Sequence, residues 1–98
     1  MEIKDYNAVL PELTISMTLK QNECIVIKQQ LITDTKDILF AGIFKTKITK
    51  NEYYIIAAYR IENGVTSMLN YTKFAVNKDH AEKLYKEMLT EIEQDLNR

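Results

Sequence analysis

"NEYYIIAAYRIENGV", residues 51–65, decides the fold. From Tyr53 to Ile61 the stretch is β-branched and aromatic, which reads as a strand. It runs into Asn63-Gly64, a pair suited to a type I′ hairpin turn, where both central residues need φ > 0. "TSMLNYTKFAV", residues 66–76, supplies the returning strand. Tyr53, Ile55, Ala57, Tyr59 and Ile61 line one face of the first strand, and Tyr54, Ile56, Ala58 and Arg60 the other. A sheet with one wet face alternates apolar and polar residues, and this strand does not. It belongs at the centre of a sheet, with cover on both faces.

Upstream, Leu13, Ile15, Met17 and Leu19 alternate with Thr14, Ser16, Thr18 and Lys20, the pattern of a strand with one buried face. "CIVIKQQLIT", residues 24–33, reads as a second strand, and "ILFAGIFKTK", residues 38–47, as a third that is basic beyond Phe44. Short polar breaks at 21–23, 34–37 and 49–52 separate them. Residues 1–11, ending at Pro11, fit either a short helix or an extra strand. Downstream the period changes. Asn77 can cap a helix with Asp79 in its first turn, and Ala81, Leu84, Tyr85, Met88, Ile92 and Leu96 then recur at helical spacing. The spacing predicts a helix over 78–96. Short connections favour sequential antiparallel pairing. The expected fold is a single α+β domain over 1–98: an antiparallel β-meander of about five strands with a C-terminal amphipathic helix packed on one face.

That architecture has a surplus. Five strands at ~4.8 Å spacing make a sheet roughly 20–25 Å wide, and one helix ~10–12 Å across covers about half of one side. The second face needs the N-terminal segment, curling of the sheet, a second copy or a partner. A large bare apolar patch is unusual for a monomer, so a homodimer or a protein partner is expected.

Composition narrows the class. With 46% apolar and 28% charged residues the chain is ordinary globular protein rather than a disordered segment. The formal charge of −1 gives no global pull toward nucleic acid or an anionic membrane. Locally the balance varies: residues 23–50 hold five lysines against three acids, residues 77–98 four basic side chains against six acidic. Apolar runs are far shorter than the ~18–20 residues of a membrane span. The opening "MEIKDYNAVLP" lacks the apolar core of a secretory signal. One cysteine, Cys24, suits a reducing cytoplasm.

Catalytic groups are sparse. His80 reads as a surface residue of the first helical turn and Cys24 as a strand residue, and nothing in their spacing makes them a nucleophile and base. One Cys and one His fall short of a zinc set, and two glycines exclude a P-loop or dinucleotide fingerprint. Ser16 and Ser67 lie within strands, away from any nucleophile elbow. No enzyme activity, cofactor or metal is expected.

What remains is binding. The expected set is Tyr53, Tyr54, Tyr59 and Arg60 with Lys45, Lys47 and Lys73. In the first reading the apolar, tyrosine-rich sheet face holds a protein partner, as small cytoplasmic inhibitors, adaptors and accessory proteins of bacteriophages or mobile elements do. In the alternative, the Lys45–Lys50 segment and the tyrosines bind single-stranded nucleic acid, combining a positive groove with stacking platforms.

Overall fold

The structure is a computed structural model that describes residues 2–5, 24–34, 38–48, 51–63 and 65–97. Among these residues six strands and a helix follow in order: β1 (Glu2–Asp5), β2 (Cys24–Thr33), β3 (Ile38–Ile48), β4 (Asn51–Glu62), β5 (Val65–Met68), β6 (Lys73–Ala75) and α1 (Lys78–Leu96). The sheet is antiparallel in the order β1-β2-β3-β4-β5, with β6 also paired to β4. The chain is therefore α+β, with β4 interior, as its two apolar faces require, but one strand in from the β5–β6 edge; β3 is the central strand. The strand expected at 13–19 lies outside the described residues. Of the ambiguous first segment, Glu2–Asp5 is a strand, paired in register with Gln30–Thr33.

The expected fifth strand is broken. β5 and β6 lie in line along the same edge of β4, but four residues, Leu69–Thr72, stand opposite only two, Ala57 and Ala58. The Leu69 N–H donates to the Ala58 carbonyl at 2.9 Å, and the Tyr71 N–H donates back to the Leu69 carbonyl at 2.8 Å. That tight turn, at Asn70, lets the extra residues bulge out of the ladder. At the hairpin, Asn63 adopts φ 52°, the left-handed conformation a primed turn demands.

The helix face holds Ile32, Leu39, Ala41, Ile43, Ile56, Ala58 and Ala75, packed on Ala81, Tyr85, Met88 and Ile92 of α1. Ala41 and Ala58 are register partners, so the middle of the sheet is flat where the helix crosses it. Each large side chain buried there contributes roughly 1.5–3 kcal/mol. The Asn77 side chain accepts from the His80 N–H at 2.8 Å and caps the helix.

The second face is built differently. Gly42 and Ala57 oppose each other across β3 and β4. Beside that small floor the rings of Phe40 and Tyr59 stack, with centroids 5.4 Å apart and planes 7° from parallel. Phe44 approaches Tyr59 at 6.4 Å. The Tyr59 hydroxyl donates to the Gln29 side-chain oxygen at 3.0 Å. A bulge between Val26 and Lys28 resets the alternation of β2, so Val26 joins this aromatic cluster. Phe44, Ala57 and Tyr59 are 0% exposed within the single chain. At these positions there is no bare apolar face for a second copy to cover.

Candidate binding surface

The expected binding residues divide between the two faces. Tyr53 alternates with Ile55, Ala57 and Tyr59 and is half-buried on the second face. Tyr59 itself is a core residue: its ring is sandwiched into the aromatic cluster and its hydroxyl is tied to Gln29, so it offers nothing to a partner. Lys45, Tyr54, Arg60 and Lys73 project on the helix side, and Lys47 stands in register with Glu52. Lys50 lies outside the described residues.

The cations do not form a positive groove. Lys45 is 3.0 Å from Glu52 and 6.0 Å above the Tyr54 ring. The hydrogen bond to Glu52, then its charge, raises the lysine pKa above its ordinary value. Lys73 donates to Glu91 at 2.7 Å, Lys28 approaches Glu82 at 3.7 Å, and the Arg60 guanidinium lies 3.8 Å from Glu62. Lys45, Lys73 and Arg60, three cations of the basic set, thus each lie within 4 Å of a carboxylate of the same fold. A phosphate backbone would have to displace these partners rather than meet open charge.

Two tyrosines fasten the helix to the sheet. Tyr85, pushed up mainly by burial, donates to Gln30 at 2.7 Å, and Gln30 donates in turn to Asp5 at 3.0 Å. Tyr71, at the break between β5 and β6, donates to Asp95 at 2.6 Å. That hydrogen bond is the largest cause of its pKa rising to about 12, with burial and the charges of Asp95 and Glu91 adding to it. His80 is exposed in the first turn of α1, as its spacing suggested.

The open surface lies at one edge of the sheet. Met68 stands opposite Tyr59 and Phe74 opposite Ile55, so both project on the second face. Phe74 is 64% exposed, Met68 40%, and Val76, just past the strand, 69%. Between Met68 and Phe74 the break in the strand leaves an open-mouthed cavity of about 320 Å³, lined by Met68, Leu69, Asn70 and Thr72. The opposite edge has the reverse character. There β1 is exposed along its length, with Glu2 and Lys4 paired at 3.4 Å, the charged dressing that keeps an edge from pairing. Ile25 and Ile38 are also exposed, but at opposite ends of the β2–β3 ladder, and single exposed apolar residues are ordinary.

The exposed edge is not visible in the sequence pattern, because 66–76 reads as one continuous strand. The available signal was Asn70, a turn residue inside an apolar run, followed by Phe74 and Val76 alternating with Lys73 and Ala75. Compared with protein-family models, with curated proteins and with solved structures, the chain matches none of them. No helix among the described residues is long and apolar enough to cross a membrane.

Proposed function

We propose that this chain is a non-enzymatic protein-binding module, an inhibitor, adaptor or accessory protein, that holds its partner along the β5–β6 edge. The observation that carries the reading is the pair Phe74 and Val76, 64% and 69% exposed beside an edge strand. Among the described residues no strand pairs with the outer side of β5 and β6, and large apolar side chains left in water beside such an edge are the features by which sheets take up partners. Tyr53, half-buried on the same face of neighbouring β4, extends the surface inward. The lone Cys24 suits action in a reducing compartment such as the cytoplasm. Nucleic acid binding is the weaker reading, because Lys45, Lys73 and Arg60 already lie against carboxylates.

The test is affinity capture with the wild-type chain and with a Phe74→Asp/Val76→Asp double variant, followed by reconstitution of the recovered protein from pure components. Both side chains are mostly in water, so the variant should melt within a few degrees of wild type. A partner that binds the wild type and loses at least tenfold affinity for the variant is the expected result. Equal binding by the two proteins would remove the edge from the function. Tight binding of single-stranded nucleic acid that weakens steeply with salt would favour the alternative.

A further inference from the structure

We propose that the break between β5 and β6 is a socket for one large apolar side chain of an extended peptide, which joins the sheet as a strand along this edge. The inference rests on the binding edge proposed above and names its occupant. Three features fall in one line. Met68 marks one end of the edge; the cavity formed by Leu69, Asn70 and Thr72 follows; Phe74 and Val76 mark the other end. The register partners of Met68 and Phe74 are Tyr59 and Ile55, four residues apart on β4. At about 3.3 Å per residue that is roughly 13 Å, which a short extended segment spans.

The size of the surface decides the kind of partner. A stable dimer buries about 800 Å² per subunit, whereas three partly exposed side chains amount to roughly a few hundred Å². A second copy is therefore poorly served, while a single strand, which draws much of its affinity from main-chain hydrogen bonds, is well matched. An edge strand turns the N–H and C=O of every second residue outward, and the strand that pairs with it answers with alternate amides. The cavity interrupts this ladder. Met68 and Leu69 contribute apolar lining, Asn70 and Thr72 polar lining. Open-mouthed and about 320 Å³ in volume, it has room for one side chain.

The experiment is selection of short random linear peptides displayed on phage against the full chain, with affinities of the synthesised winners measured by fluorescence polarisation. Enriched peptides should share one large aliphatic or aromatic residue, with further apolar residues at alternate positions. N-methylation of every second amide should weaken binding at least tenfold, while the same change on the intervening amides costs little. Thr72→Phe, which narrows the cavity, should also cost at least tenfold, and Met68→Lys, at an exposed end of the edge, serves if Thr72→Phe disturbs the fold. The inference is overturned if no peptide is enriched over the Phe74→Asp/Val76→Asp background, or if winners ignore both N-methylation and the cavity variants. Should peptides fail while a captured folded protein still needs Phe74 and Val76, the peptide inference falls alone. If neither binds at the edge, the functional reading falls with it.

Discussion

At Gly42 the backbone of β2 and the aromatic cluster both crowd against β3. A Cβ at this position would lie 2.6 Å from the Lys28 carbonyl oxygen and 2.9 Å from the edge of the Phe44 ring. The ring can turn aside, but the carbonyl belongs to the β2 backbone beside the bulge. Gly42→Ala is therefore expected to destabilise the fold by about 1–3 kcal/mol, the usual cost of overpacking a dense interior, read as a lower urea midpoint with little change in slope. A midpoint at or above wild type would mean that β2 moves freely at this point. At this scale the sequence was a partial guide. The two-sided apolar character of 53–61 marks β4 as an interior strand, though β3 rather than β4 is the central one, and the helical stripe contains the buried residues of α1. The fate of Tyr59 was not legible. Alternation says which residues share a face, not whether the chain itself covers that face, and Tyr59, a candidate surface residue by pattern, is 0% exposed.

Among the elements, β2 and α1 follow the boundaries that their patterns suggest, because polar breaks bracket β2 and a helical period runs through α1, although the bulge at Val26–Lys28 resets the alternation within β2. The 66–76 segment does not. Asn70, Tyr71 and Thr72 are all tolerable in a strand, and nothing local shows that two extra residues must leave the ladder there. The break is held from the other side by Tyr71 on Asp95, a contact between residues distant in sequence. It has a pH signature. The folded state raises the Tyr71 pKa from its ordinary value of 10.0 to about 12, so the unfolded chain loses this proton first. The contribution is intact below pH 10 and is lost as pH rises toward about 12. Lys45, raised by Glu52, acts in the same direction. Melting temperature should thus fall through this range, and less steeply in Tyr71→Phe than in wild type. Parallel curves would show that the contact contributes nothing in solution.

At the scale of the whole molecule, both central faces of the sheet are buried in one chain, and the exposed apolar side chains of β5 and β6 form a narrow strip. Light scattering after size exclusion should therefore give the monomer mass, 11.5 kDa, at low and moderate salt. A salt-resistant dimer would require a self-association surface elsewhere and would count against a free edge. A homodimer is the outcome expected from counting five strands against one helix, a sum that leaves out the close packing of Phe40, Phe44 and Tyr59 on the second face.

The connection from β6 to α1 is only Val76 and Asn77, and the helix then runs back to meet the same edge through Lys73–Glu91 and Tyr71–Asp95. β6 is thus joined to the helix by the chain at one end and by side chains at the other. Such a pair opens and closes as one cooperative unit. Amide hydrogen exchange should find the β6 amides bonded to β4 protected to the same degree as the centre of α1, unlike those of β1, a four-residue strand at the other edge. If β6 instead exchanges as fast as β1, the two are uncoupled. If they are coupled, a strand added at the edge would slow exchange along the entire helix, and its arrival could be followed from the far side of the sheet.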